Sequence, residues 1–329
     1  MEFRDSNKSP EISEDITEFK RRVLERREFR RKKRRQRRML FTVILVLIGG
    51  VTLFSIKGKE KAEVKELVEV NEDVEVNTVI EQANASVDVA YAAEISVDEF
   101  DDVGYYEVEN QQRYIAYKKE NPDMDNAEIV WRVNANLDKE WYTADIPVSG
   151  YDDPYIIVNK FYKVPDEYKP PDLVEADGFL MREKTAEAYL MMRQDAEKEG
   201  LRMRAVSAYR SVEYQRNLYD RYLSQDSKEN VDRYSARAGH SEHHTGMAID
   251  LFGSEEGLRN FINTPEYEWV CENCYKYGFI IRYSADIENI TGYEDEPWHI
   301  RYIGVEASTD MKNKGIKSLE EYYEKYIKE

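Results

Sequence analysis

The longest apolar run in the chain covers residues 39–56, which carry no charged side chain over 18 positions. A membrane-spanning helix needs about 20 predominantly apolar residues, so this run is long enough to cross a bilayer. Residues 1–38, which precede it, contain 15 Lys and Arg against 8 Asp and Glu. Under the positive-inside rule, this pattern predicts a basic cytoplasmic tail at 1–38 and a transmembrane anchor at 39–56, with the rest of the chain exported.

Two other interpretations of the apolar run are weaker. A buried helix of a soluble domain could have the same composition, but the adjoining basic block favours a membrane span. A cleavable signal has its cleavage site just after the apolar core, whereas the small-residue sequence Ala83-Asn84-Ala85 lies far beyond it. We therefore predict an uncleaved single-pass anchor in the cell membrane, with the N-terminus in the cytoplasm.

The pattern beyond the anchor divides into three parts. Residues 57–100 are rich in Glu, Asp, Val and Asn, and predict an acidic stalk with little regular structure. Residues 101–149 regain aromatic side chains and predict a lead-in region packed on the unit that follows. Residues 150–329 alternate between helical and strand periodicity, which is typical of a folded α+β domain.

Within residues 150–329 the apolar positions predict individual elements. Helical spacing is found at 183–199, 212–225, 258–277 and 318–328. Strand patterns are found at 202–207, 247–252, 279–283 and 299–303. Together these elements predict a small, mostly antiparallel sheet with flanking helices.

The charge of the chain is unevenly distributed. The chain has 48 Lys and Arg against 66 Asp and Glu, a net charge of −18. Since residues 1–38 contribute +7, the remainder carries −25. An exported part of that charge repels nucleic acid, so we expect no nucleic-acid partner. It also repels anionic wall polymers, so a membrane tether and a specific site must bring it to any wall substrate.

The four histidines lie in two short segments, each containing a carboxylate, and this arrangement indicates a metal site. They are His240, His243, His244 and His299. A catalytic zinc takes three protein ligands from imidazole nitrogen and carboxylate oxygen, and keeps one position for a water whose pKa falls to about 7. Such a water still needs a base to take its proton. Glu296 is the candidate for that role.

The spacing of these residues narrows the ligand choice. Gly246 lies between His243 and Asp250, which predicts a turn that leads into a buried strand. In an extended backbone His243 and its neighbour His244 would face opposite ways, so one of them is expected to be a bystander. A regular strand would also separate Glu296 from His299, so both can reach one metal only if the chain bends between them.

Two motifs resemble a known family. The first reads Ser241-x-His243-x-x-Gly246-x-Ala248-x-Asp250, and the second reads Glu296-x-x-His299. Both are similar to the zinc signature of the VanY-type D-alanyl-D-alanine carboxypeptidases, cell-wall enzymes that share a fold with the Hedgehog signalling domain. The resemblance covers residues 150–329 and includes the segments 158–160, 207–211 and 277–283.

The resemblance implies a role for each site residue. By that likeness one zinc ion is bound by His243, Asp250 and His299, with Glu296 as general base and acid. Arg210, which precedes the helix cap Ser211 at a strand-to-helix junction, is implied to contact the substrate and assist catalysis. The further substrate contacts are expected at Gln215, Ser241 and Trp298.

The function that follows is an extracytoplasmic zinc carboxypeptidase that removes C-terminal D-alanine from peptidoglycan stem peptides. The alternatives are an L,D-carboxypeptidase acting on tetrapeptide stems, an endopeptidase that cuts within the stem, and a non-catalytic wall-binding module whose zinc is structural. A free base at Glu296 argues against the last of these. Cys271 and Cys274 are expected to be half-buried thiols or an incidental disulfide rather than a metal site.

Overall fold

The computed structural model describes residues 99–148, 150, 153–254 and 257–328. The predicted cytoplasmic tail, the predicted anchor at 39–56 and nearly all of the predicted stalk therefore lie outside the described residues. Across the part of the chain that is described, no helix is both long and apolar enough to span a membrane. The chain divides into two compact units, with the border between Val130 and Trp131.

In the first unit, a 3-10 turn at Val108–Asn110 leads into helix α1, Gln111–Glu120. The ring of Tyr114 on α1 is fully buried, with its centroid 5.6 Å from that of Phe100 and 5.4 Å from that of Tyr106. Such aromatic contacts hold the helix to the segment that precedes it. Helix α2, Asn126–Asn134, follows, and the border between the units falls within it.

The second unit contains the sheets and the remaining helices. The strands are β1 (Ile146–Pro147), β2 (Tyr162–Lys163), β3 (Leu173–Ala176), β4 (Phe179–Arg182), β5 (Arg204–Ser207), β6 (Ala248–Phe252), β7 (Phe279–Tyr283) and β8 (Glu296–Tyr302). The helices are α3 (Glu183–Lys198), α4 (Val212–Leu223), α5 (Lys228–Tyr234), α6 (Pro265–Asn273), α7 (Glu288–Thr291), α8 (Val305–Lys314) and α9 (Leu319–Tyr322).

The central sheet is antiparallel, with strand order β5-β6-β8-β7. Because side chains alternate along a strand, β6 presents Ile249 and Leu251 to one face and Asp250 to the other. The apolar face packs into the main core, together with Tyr189 and Met192 of α3. The predicted α+β fold with a small, mostly antiparallel sheet is confirmed, and the sheet leaves its opposite face for polar residues.

Helix α3 is held by an apolar stripe and by polar contacts that include Asp177. Tyr189, Met192 and Ala196 are buried at helical spacing and face the core. The Tyr189 hydroxyl donates to Asp177 at 2.6 Å, and the Ala205 amide donates to the same carboxylate at 2.9 Å. Asp177 thus joins the helix to the first strand of the central sheet.

Three predicted elements differ from the structure. The helix predicted at 258–277 is instead a 3-10 segment Leu258–Asn263, helix α6 and a 3-10 turn Cys274–Tyr277. The break occurs at Thr264, whose side chain caps α6 by accepting from the Tyr267 amide. The strand predicted at 299–303 begins three residues earlier, and the predicted C-terminal helix changes from α to π geometry after Tyr322.

Cys271 and Cys274 are free thiols. Cys274 is buried against the main core, and burial raises its pKa to about 12. The prediction of free thiols is confirmed, and the alternative prediction of a disulfide is wrong.

Candidate metal and catalytic centre

Three side chains meet on the polar face of the central sheet. His243, Asp250 and His299 are all buried, and one potential ligand atom from each lies within 4.8 Å of the other two. His243 Nε2 is 3.3 Å from Asp250 Oδ2, and His299 Nδ1 is 3.2 Å from Asp250 Oδ1. Two imidazoles and a carboxylate at these distances form a donor set of the kind that catalytic zinc uses.

The backbone explains how residues so far apart in sequence converge. Asp250 on β6 and His299 on β8 are direct partners across the antiparallel ladder, so their side chains share a face. His243 comes from a 3-10 turn at Glu242–Thr245, capped by the Ser241 hydroxyl, which accepts from the His243 amide at 3.3 Å. The turn ends at Gly246 with φ of 68°, a left-handed conformation that favours glycine.

Space as well as conformation requires a glycine at 246. A Cβ atom there would lie 2.9 Å from Leu173 Cδ2 and 3.3 Å from the Arg182 backbone nitrogen. The left-handed turn therefore packs directly on the hairpin formed by β3 and β4. This contact fixes the position of the turn that contains His243 relative to β6.

The imidazole of His243 has one ring nitrogen available to a metal. Its Nδ1 donates to the Ala208 carbonyl at 2.7 Å, so Nε2 carries the lone pair that faces Asp250. Burial, together with repulsion from Arg210, lowers the pKa of His243 to about 4. The neutral ring is the form that ligates metal.

His299 and Asp250 are electrostatically coupled. Burial acts to lower the pKa of His299, but the neighbouring carboxylates of Asp250, Glu242 and Glu296 outweigh it and raise the pKa to about 9. Burial acts to raise the pKa of Asp250, but attraction to His243 and other neighbours holds it well below its usual range. Since only an unprotonated imidazole nitrogen binds a metal, a cation that binds His299 would compete with a proton.

The residues present fit a divalent cation. Asp250 Oδ2 accepts from Arg210 at 2.8 Å, whereas Oδ1 is buried without a hydrogen-bond partner among the described residues. Burying a carboxylate oxygen without a hydrogen-bond partner destabilises the folded protein unless a cation or another donor binds that oxygen. Together with the neutral His243 nitrogen, it provides two ligand atoms that lack another role.

Glu296 reaches the same centre through an irregularity in β8. On β7, Ile281 and Tyr283 are two residues apart, while their partners Ile300 and Glu296 are four apart, so β8 carries a bulge. The bend that the sequence required between Glu296 and His299 is this bulge, and Glu296 Oε2 lies 3.6 Å from His299 Nδ1. Burial raises the pKa of Glu296 to about 8, against the attraction of His299.

Arg210 lies at the edge of this group. Its Nε donates to the Ser207 hydroxyl at 2.9 Å, and one terminal nitrogen donates to Asp250. Its backbone is tied to the histidine turn, because His244 Nδ1 donates to the Arg210 carbonyl at 2.7 Å. The side chain remains 21% exposed, so a ligand in the cleft can reach the guanidinium.

A cavity of about 240 Å³ opens over these residues, and Gln215, Ser241 and Trp298 also line it. The Gln215 side-chain amide donates to the Ala236 carbonyl at 2.8 Å. Trp298 is 8% exposed and belongs mainly to the core. Every site residue predicted from the sequence borders this cavity, although Ser241 and Trp298 also have clear structural roles.

The other two histidines stand outside the group of three. His244 is fully buried and accepts from the Gly239 amide at 3.2 Å in addition to its bond with Arg210. His240 Nδ1 donates to the Asn159 carbonyl at 2.8 Å. Sequence reasoning missed Glu242, a buried residue that borders the site, because a single Glu between Ser241 and His243 carries no spacing signal of its own.

Comparison with known proteins shows the family. The family model described as VanY, D-alanyl-D-alanine carboxypeptidase, matches residues 178–305. YodJ of Bacillus subtilis is 39% identical over 185 residues, which are 52% of this chain and 67% of YodJ. This chain belongs to the VanY family of carboxypeptidases. The solved LdcB LD-carboxypeptidase is 36% identical, with a TM-score of 0.52 over 57% of this chain and 93% of LdcB.

Membership of the VanY family identifies the chain as a metallocarboxypeptidase, and its buried His, Asp and His donor set fits one zinc ion. A mutant of the vancomycin-resistance D,D-pentapeptidase VanY, solved in complex with Zn(II), is 30% identical over 51% of this chain and 98% of that one, with a TM-score of 0.45. The His, Asp and His group described above is where this VanY-family chain offers a site for one such ion.

Proposed function

We propose that this protein is a membrane-anchored, extracytoplasmic carboxypeptidase that removes the C-terminal D-alanine from peptidoglycan stem peptides. The observation that carries the proposal is the convergence of His243, Asp250 and His299, with the Glu296 carboxyl 3.6 Å from the His299 ring and at the border of an open cavity. A structural zinc site would need no additional carboxyl group beside it.

The proposed ligands are His243 Nε2, the Asp250 carboxylate and His299 Nδ1, because these are the atoms that face one another. When bound there, zinc would polarise the scissile carbonyl and lower the pKa of a water molecule. Glu296 would take the proton of that water and pass it to the nitrogen of the departing D-alanine. Its buried position suits this role, since a carboxyl group with a raised pKa both accepts and returns a proton near neutral pH.

Arg210 would bind the anionic end of the substrate. A guanidinium forms paired hydrogen bonds with a carboxylate, and the exposed part of Arg210 borders the cavity. Its existing bonds to Ser207 and Asp250 restrict its rotation, so little additional ordering is required on binding. Gln215, Ser241 and Trp298 would complete the wall that holds the terminal residues of the peptide.

The location is proposed from the sequence. The apolar residues 39–56 would anchor the chain, the basic residues 1–38 would remain in the cytoplasm, and the acidic stalk would hold the enzyme away from the bilayer. Protease added to intact cells should degrade residues 57–329 and spare the N-terminal tail. Protection of the catalytic residues under those conditions would contradict export.

A second candidate is an L,D-carboxypeptidase that removes D-alanine from tetrapeptide stems. The similarity to the LdcB LD-carboxypeptidase supports it, since this chain covers 93% of that structure. The match to the VanY family model supports the D,D activity. Both reactions release one D-alanine by hydrolysis next to the same kind of metal centre, so the substrate is what separates them.

Mass spectrometry of products from defined stem peptides tests the proposal. Incubation with a pentapeptide stem should release one D-alanine and leave the tetrapeptide, and this reaction should be faster than conversion of a tetrapeptide stem to the tripeptide. The reverse preference would establish the L,D activity instead. Release of a fragment larger than one residue would indicate an endopeptidase. Cleavage of neither stem by the zinc-loaded protein would refute the proposal.

A further inference from the structure

Four buried charged side chains form a network behind His299. Glu242 Oε1 accepts from Arg282 Nε at 2.8 Å and from Arg301 at 2.7 Å. Arg282 in turn donates to both oxygens of Glu320, at 3.0 and 2.6 Å. The side chains of both arginines and of Glu242 are completely inaccessible to solvent. Two carboxylates and two guanidinium groups balance in charge, which makes their burial tolerable.

The second oxygen of Glu242 faces the metal centre rather than the network. Oε2 lies 3.4 Å from His299 Nε2. Within the described residues, both of these buried atoms lack a hydrogen-bond partner, and the 3.4 Å contact joins the two. The two arginines donate hydrogen bonds to Oε1 and balance the charge of Glu242. Oε2 is therefore available to accept a hydrogen from the imidazole.

The two nitrogens of His299 therefore have different surroundings. Nδ1 faces Asp250 and Glu296, whereas Nε2 faces Glu242 alone among the nearby carboxylates. A neutral imidazole has one N–H and one lone pair, so an acceptor at Nε2 places the lone pair on Nδ1. A partner of this kind sets both the tautomer and the ring orientation of a ligating histidine.

We propose that Glu242 is a positioning residue that accepts the Nε2 hydrogen of His299 and directs Nδ1 to the metal. Arg282 and Arg301 hold the Glu242 carboxylate in place. Arg301 is two residues beyond His299 on β8, so both side chains leave the same face of the strand and the network is built into the sheet. The inference rests on the proposed role of His299 as a ligand in the proposed function.

Glu242→Gln is the informative substitution because it keeps the shape and removes one acceptor. The amide oxygen would stay with the two arginine donors, so the NH₂ group would face Nε2–H, donor to donor. His299 could relieve that contact only by moving its hydrogen to Nδ1, which would block the metal. Glu320→Gln is the matched control, since it removes a buried carboxylate from Arg282 in the same network without touching His299.

The measurement is zinc affinity, determined by competition with a chromophoric chelator, together with the visible absorption spectrum of the cobalt-substituted protein. Loss of an outer partner of a ligating histidine typically weakens metal binding 10- to 100-fold. We expect a loss in this range and an altered cobalt spectrum for Glu242→Gln, and zinc affinity within about threefold of wild type for Glu320→Gln. Equal losses in both variants, or none in Glu242→Gln, would overturn the inference.

A second variant covers the case in which Glu242→Gln does not fold. Glu242→Asp keeps the charge that the arginines require but shortens the side chain by one methylene, so its carboxylate cannot serve the arginines and His299 together. Weakened zinc binding by folded Glu242→Asp supports the inference, and wild-type affinity refutes it. A wild-type protein that binds zinc but cleaves no stem peptide would refute the proposed function without affecting this result.

Discussion

Replacing Glu296 by Gln tests whether this residue transfers protons during the reaction without binding the metal. Glutamine keeps the volume of the side chain, and Glu296 is not one of the three residues whose ligand atoms lie within 4.8 Å of one another. Zinc affinity should therefore stay close to that of the wild type. What is lost is the group that accepts and returns the proton.

The expected loss can be estimated from that role. Positioned general acid–base catalysis contributes about 10²- to 10⁴-fold to a rate, or roughly 3 to 5 kcal/mol of transition-state stabilisation at 1.36 kcal/mol per factor of ten. The effect should appear in kcat more than in KM, since Arg210 and the cavity wall are unchanged. Release of D-alanine, followed by mass spectrometry alongside a zinc determination, measures both quantities. A kcat within tenfold of wild type at equal zinc content would refute the assignment.

Three further predictions follow from the structure. Removing zinc with a chelator should abolish hydrolysis and lower Tm, and added zinc should restore both, because an ion that binds only the folded state stabilises it. Burial acts to raise the pKa of Asp177, but hydrogen bonds from Tyr189 and Ala205 outweigh it and lower the pKa. Asp177→Asn should cost about 1 to 3 kcal/mol of unfolding free energy at pH 7, and denaturant titrations should show the difference vanishing as the pH falls below about 3.9 towards the folded-state pKa. Gly246→Ala should lower the free energy of unfolding by more than about 1 kcal/mol and weaken zinc binding, because residue 246 has a φ of 68° and an alanine Cβ there would meet Leu173. Wild-type Tm and zinc affinity in that variant would contradict this prediction.

Much of the centre could be predicted from residue type and spacing. Asp250 and His299 lie on strands whose apolar alternation is visible in the sequence, and Gly246 marks the turn before the first of them. The pairing of Asp250 with His299 could not be predicted from the sequence, because it depends on the register between strands almost 50 residues apart. The resemblance to the family's zinc motifs, rather than periodicity, predicted that both residues bind the same ion.

Local geometry accounts for what the sequence pattern missed. The argument that His243 and His244 must face opposite ways assumed an extended backbone, but both lie in a 3-10 turn, where His244 instead holds the Arg210 carbonyl. The bulge that brings Glu296 to His299 has no signature in residue periodicity. Helical spacing across 258–277 also concealed the cap at Thr264 that divides that segment.

Glu242 shows a different reason for a missed residue. Its partners Arg282 and Arg301 are 40 and 59 residues away, and a buried charge is unexpected from composition alone. Only the folded sheet brings these groups together, so the network behind His299 follows from tertiary structure rather than from any motif.

Zinc content per chain tests the central claim most directly. Purified wild-type protein should contain one zinc ion, and His243→Ala should contain almost none after dialysis against a weak chelator. The neighbouring His244→Ala is the matched control, because that ring is equally buried but bonds the Arg210 carbonyl and lies outside the group of three. It should keep its zinc. Retention of zinc by His243→Ala, or equal loss from both variants, would contradict the metal centre on which the proposed activity depends.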